Sequence, residues 1–295
     1  MQWLHRMAKI MPRRLLHMFL FFFLIFFTLT ACVGAVTPQN TPAAPFSGAT
    51  SWIIARSALD RLQSAGMSSS QMAAYFDNSH TYILGTQPDG WQSIITMDFT
   101  SYAAMQQSFA NNQVSSSVQA IVYDPEAWSF TPLSEQQNII ATIAAAAALA
   151  HAHHKQFIVT PATDLIRVVA PATIGDPYTR FLATQIIGNA AKVADIVEIQ
   201  AQGAETNLPR FTQFVAAAVA QAKAAKPDIS VFVGLSTNPS GQQVTGAQLK
   251  AAFQATHTYV NGYWLNIPSS QGGYCPKCGA PQPQVAIDFL KSLGG

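Results

Sequence analysis

From residue 51 to the C terminus, short apolar runs alternate with longer amphipathic stretches, and this alternation narrows the available folds more than any other feature of the chain. It is the signature of βαβ units and a parallel sheet. Apolar runs at 52–56, 82–85, 93–99, 118–124, 156–161, 195–200, 229–236 and 262–267 read as strands. The clearest helical stretches are 134–154, 178–193, 209–225, 246–256 and 283–293. Pro132, Pro177, Pro209 and Pro283 stand near helix starts, where a missing N–H does no harm. Strands and helices alternating over this length fit one (β/α)8 TIM-type barrel spanning 51–295. The region around Tyr82 has two readings. It is a barrel strand, or it pairs with the next run as a hairpin turned by Pro88-Asp89-Gly90, which leaves seven strands and an irregular N-terminal part. A doubly wound sheet is the rival architecture, but no Gly-rich phosphate loop opens any helix.

Successive side chains on a strand face opposite sides, so only one row of each barrel strand looks into the lumen. In the run at 229–238, Val231, Val233 and Leu235 suit packing under helices, whereas Phe232, Gly234, Ser236 and Asn238 form the polar row. Glu198, Gln200 and Gln202 share a parity, as do Trp264 and Asn266, Thr96 and Asp98, and Val122, Asp124 and Glu126. With these rows inward, the C-terminal mouth of the barrel carries carboxylates, amides and an indole. Barrel enzymes keep their chemistry at that face.

Asp124 and Glu126, in QAIVYDPEAW, are the best-placed acids. Pro125 between them lacks a donor, so the strand leaves its ladder there. Two neighbouring carboxyls resist simultaneous ionisation, which keeps one protonated as a general acid. The competing reading is that Asp124 caps the following turn and Glu126 is solvated. A strand ending in Asp-x-Glu, with a tryptophan on the last strand and amides between, resembles the chitinase-type glycoside hydrolases of family 18. The resemblance implies Glu126 as general acid, Asp124 as the partner that orients a substrate N-acetyl group, and Trp264 as the floor of a sugar site. The family's spaced aspartates before that pair are missing from residues 120–123.

Supporting candidates follow from the same parities. Asp98 or Glu198 is an alternative second carboxylate, whose separation from the first would set a retaining or inverting outcome. Gln200, Gln202, Asn238 and Asn266 carry the mixed donors and acceptors that sugar hydroxyls need, and Trp264, Trp128 and Tyr263 offer flat faces to pyranose rings. Each is equally readable as core packing or a satisfied buried group. His151, His153 and His154 end an Ala-rich helix on the opposite face, with no carboxylate beside them in the sequence to complete a metal site.

The N terminus sets the expected location. Arg13 and Arg14 precede an apolar run at 15–31, a charged region followed by a hydrophobic one. The run ends in Leu29-Thr30-Ala31-Cys32, which resembles the lipobox of bacterial lipoproteins and implies cleavage after residue 31 and lipidation of Cys32. A plain transmembrane anchor is the other reading. Residues 32–50, rich in Pro, Thr and Ala and free of charge, form a tether. Cys275 and Cys278 read as a local disulfide in an oxidising compartment, or as half of a zinc site without its second pair. Only 10% of residues are charged and the net charge is +2, which gives no basic footprint for nucleic acid. The expectation is a lipid-anchored extracytoplasmic glycoside hydrolase using no cofactor, whose partners are a carbohydrate or other polar small molecule and the membrane. A non-catalytic sugar- or solute-binding surface lipoprotein is the alternative.

Overall fold

A computed structural model describes residues 50–171, 174–271 and 275–294. The expected signal peptide (1–31), Cys32 and the tether up to residue 49 lie outside the described residues. Eight parallel strands close into a barrel: β1 (Ser51–Ala55), β2 (Thr81–Leu84), β3 (Ile94–Phe99), β4 (Ala120–Tyr123), β5 (Gln156–Val159), β6 (Ile196–Ile199), β7 (Ser230–Ser236) and β8 (Gly262–Asn266). The ring shuts where Ser51 aligns with Gly262 and Ile53 with Trp264. This is a (β/α)8 barrel.

The two strand rows separate as the parities require. Trp52, Ile54, Ile83, Ile121, Phe157, Val197, Val231 and Leu265 point outward into one continuous core beneath the helices. Ile53, Tyr82, Leu84, Ala120, Val122, Ile158, Ile196 and Phe232 fill the lumen, with Trp264 packed on them. Gly262 is required at the barrel floor. A Cβ there would come within 2.7 Å of the Phe232 ring and 2.6 Å of the Ser51 carbonyl.

Tyr82 lies on a true barrel strand, which excludes the hairpin reading. β2 runs parallel to both β1 and β3 and is buried along its whole length. The Pro88-Asp89-Gly90 turn forms, with the Trp91 N–H donating to the Pro88 carbonyl (3.3 Å), but it sits in a helix-free crossover. The Gln87 amide pins that crossover by donating to the carbonyls of Trp91 (2.8 Å) and Ser93 (2.5 Å). Two helices expected as single pieces are broken. The first divides at Asn138 into Leu133–Gln137 and Ile139–Ala152, and the second into Pro177–Ala183 and Ile186–Val193, where Gln185 takes a left-handed φ of 59°.

Candidate active site

The loops at the C-terminal ends of the strands enclose a cup of about 650 Å³. Asp98, Asp124, Glu126, Trp128, Gln200, Gln202, Trp264 and Asn266 all line it. Asp98, Trp264 and Asn266 reach it from the inward rows of β3 and β8 and Asp124 and Gln200 from the first residues past β4 and β6, whereas Glu126, Trp128 and Gln202 are placed by the loops beyond.

Asp124 is half-buried and tightly held. The Thr160 hydroxyl (2.5 Å) and the Gln200 amide (2.8 Å) both donate to its Oδ1, and Gln200 also donates to the Thr160 carbonyl (2.9 Å). The Asp124 N–H still reaches the Phe99 carbonyl (2.9 Å). One residue on, Pro125 has no N–H to give, though its carbonyl still accepts the Ala162 N–H on the β5 side (3.1 Å), and the β3 side ends because the Glu126 N–H leaves the ladder for Thr131. The chain then turns inward around Thr131. Its Oγ1 accepts from the Glu126 N–H (3.2 Å) and the Trp128 indole (3.0 Å), and its hydroxyl donates to the Thr100 carbonyl (2.7 Å). This loop aims Glu126 back into the cup instead of leaving it on the surface.

Burial pushes the Asp124 carboxyl up to about 7, with the nearby charges of Asp98 and Asp164 adding to the rise and the bonds from Thr160 and Gln200 opposing it. Glu126 is pushed up to about 9, by burial first and then by the charges of Asp124 and Asp164. Both carboxyls are thus raised, by burial and by neighbouring acids, so the pair holds a proton into the neutral range. A carboxyl pair that still holds a proton there is what proton-transfer chemistry at an ether oxygen needs. Asp98, open to the cup on the neighbouring strand, is also raised by the surrounding protein.

Glu198 lies one inward position below Gln200. It is 0% exposed, and neither carboxyl oxygen has a hydrogen-bond partner among the described residues. Burial pushes its carboxyl well above the usual carboxylate range, reinforced by the charges of Asp124 and Glu126. Its head and that of Gln202 occupy space left by Gly234, where a Cβ would meet Gln202 Nε2 at 2.3 Å and Glu198 Oε1 at 2.5 Å.

Three sequence expectations are corrected. Asn238 is 2% exposed and its amide donates to the carbonyls of Cys278 (2.8 Å), Ala280 (3.3 Å) and Pro268 (3.4 Å), so it clamps the last loop instead of facing a ligand. Tyr263 points outward and shares its hydroxyl with Thr256 (2.8 Å) and the Phe253 carbonyl (3.0 Å), because its parity is opposite to that of Trp264. His151 does have a carboxylate beside it, Asp195 Oδ2 at 2.8 Å, which also accepts the Phe157 N–H (2.7 Å) at the far end of the barrel. Asp195 follows His151 by a whole helix–strand unit, so local spacing could not show the pairing. Cys275 and Cys278 are joined as a disulfide with their Cα atoms 5.4 Å apart, and Cys275 lines the cup.

The sequence reading missed Asp164. It follows β5 in a short turn, lines the cup, accepts the Ala127 N–H (2.9 Å) and is paired with Arg167. An acid placed shortly after the strand run 156–161 was the available signal. Tyr178, with the Arg210 guanidinium 4.8 Å above its ring, also reaches the wall. A second groove of about 690 Å³ lies outside the barrel among Ile139, Ile140, Ala144, Val169 and Ile186. Among the described residues no carboxyl lines it.

No family model matches the chain, and no curated protein matches it in sequence. Among solved structures, the chain is similar to the N-terminal domain of a "putative aldolase" from Bacteroides vulgatus, at 8% identity over 83% of this chain and 79% of that one, with a TM-score of 0.45. It is also similar to a glycoside hydrolase family 17 β-1,3-glucanosyltransferase from Rhizomucor miehei, at 10% identity over 70% of this chain and 76% of that one, with a TM-score of 0.36. At these identities and scores neither likeness bears on the chemistry of the cup, which rests on the residues described above.

Proposed function

We propose that the cup is the active site of a glycoside hydrolase in which Glu126 is the general acid/base and Asp124 its charged partner. The observation that carries this reading is the pair itself: two carboxyls lining one barrel mouth, both raised by burial and by neighbouring acids. Glu126 gives its proton to the glycosidic oxygen as the bond from that oxygen to the anomeric carbon breaks. Asp124 stabilises the positive charge that develops on the carbon. Water then adds to the carbon and passes its proton to the Glu126 carboxylate, which restores the starting state. Gln200, Gln202 and Asn266 meet hydroxyls, and Trp264 and Trp128 supply flat apolar faces.

One closed barrel, without two lobes around a cleft, makes a solute-capturing role the weaker reading. The test is release of reducing ends from a panel of polysaccharides by the full chain and by Glu126→Gln. On any accepted substrate the variant should be slower by about 10² to 10⁴, and unchanged turnover would sink the assignment. The lipobox supports placing this activity outside the cytoplasm on a lipid anchor at Cys32. Labelled fatty acid incorporated by wild type but not by Cys32→Ala is the expected result, and equal labelling would refute it.

A further inference from the structure

The electrostatics of the cup point to a narrower ligand class, and this inference rests on the hydrolase reading of the same site. Asp98, Asp124, Glu126 and Asp164 line one cup, with Glu198 beneath it. Among the described residues the basic side chains nearby are engaged: Arg167 with Asp164, Arg61 with the Ile267 carbonyl, and Arg210 with Asp176 and the Tyr178 ring. The wall therefore carries an excess of carboxyls with no cation among the described residues committed to Asp98, Asp124 or Glu198.

Glu198 provides the second, independent observation. A wholly enclosed carboxyl with two unpartnered oxygens is costly to retain in a barrel lumen, where an apolar side chain would pack without penalty. It lies in the inward row directly below Gln200 on β6, beside the gap at Gly234, and Gly234 is in register with Trp264 on β8. Asp98 is in register with Val122, so Asp124 is the next inward position on the adjacent strand. Among the described residues no three of these acids converge closely enough to ligate one metal ion. An organic cation, larger and able to share its charge among spaced carboxyls, suits the arrangement better.

We propose that the cup selects a cationic carbohydrate, an unacetylated amino sugar unit, its ammonium held by Asp98 and Asp124 above Glu198 and its ring against Trp264. The amides of Gln200, Gln202 and Asn266 serve the remaining hydroxyls. An ammonium group has no acyl oxygen to attack the anomeric carbon, so water must do so, a departure from what the family 18 resemblance implies.

The test is calorimetric titration of the full chain with three oligosaccharides of equal length: glucosamine, N-acetylglucosamine and glucose. It is run at about pH 7, where an amine is still largely charged and Asp124 begins to ionise, and at about 0.15 M salt so that loose surface attraction is screened. The amine oligomer should bind at least about tenfold more tightly, about 1.4 kcal/mol, with net proton release when two buffers of different ionisation enthalpy are compared. Asp98→Asn should abolish the preference. Equal or weaker binding of the amine oligomer, or a preference that survives Asp98→Asn, overturns the inference. Cleavage of neutral or acetylated oligomers with no amine preference would overturn it while leaving the hydrolase reading intact. Selective amine binding without cleavage would do the reverse.

Discussion

Glu126→Gln removes a carboxyl that the fold holds in its protonated form, and the consequence is a change in how stability depends on pH. The folded value of about 9 lies above the ordinary glutamate value of 4.5. Between them the native state keeps a proton that the unfolded chain has released. Stability from this group is therefore complete below the unfolded value and is lost as pH rises toward the folded one. The loss is at most about 1.4 kcal/mol per pH unit, roughly 3 kcal/mol by neutral pH. Glu126 is half-buried, so solvent screening reduces that to about 1–2 kcal/mol. Urea unfolding of wild type and Glu126→Gln, followed by tryptophan fluorescence from about pH 5 to about pH 8, reads the difference directly. The variant should gain on the wild type as pH rises. Two profiles that stay parallel would refute the claim that the fold raises this carboxyl.

Other outcomes follow from the same contacts. Gly234→Ala places a methyl within 2.5 Å of the heads of Glu198 and Gln202, both of which must shift, Glu198 from a wholly buried position; a loss of about 1–3 kcal/mol in denaturant unfolding is expected, and wild-type stability would contradict the packing. Asn238→Ala strips the amide that holds the carbonyls of Pro268, Cys278 and Ala280, so it should cost about 1–3 kcal/mol and speed proteolysis near 267–281. Trp264→Ala should weaken oligosaccharide binding by about 1 kcal/mol or more while Tyr263→Phe leaves it unchanged, because of these two rings Trp264 faces the cup and Tyr263 points away from it.

The barrel is legible in the sequence because parallel strands buried on both faces write themselves as apolar runs, and the helices between them as amphipathic ones. The lumen rows are legible for a related reason: a period of two carries Val122 to Asp124, and Trp264 to Asn266, without any tertiary information. Parity fails once the strand ends. Asn238 lies two residues past Ser236, where the chain has left the strand just before the short helical segment Pro239–Gly241, so its side chain meets carbonyls of the last loop. Tyr263 was a candidate for its chemistry alone, against its own row. Asp164 belongs to no strand row, and only the three-dimensional path of the turn after β5 brings it to Ala127. The Tyr82 segment was ambiguous because a nine-residue crossover without a helix leaves the same Pro-Asp-Gly signal as a hairpin.

The most direct test of the proposed catalytic pair is the pH profile of kcat/KM on an accepted oligosaccharide. The account predicts a bell whose acid limb reflects ionisation near Asp124, about 7, and whose alkaline limb reflects loss of the Glu126 proton, about 9, the two values belonging to the coupled pair. Asp124→Asn should flatten the acid limb of whatever activity remains. A bell centred near pH 4 to 5, where unperturbed carboxyls titrate, or an acid limb unchanged in Asp124→Asn, would contradict it.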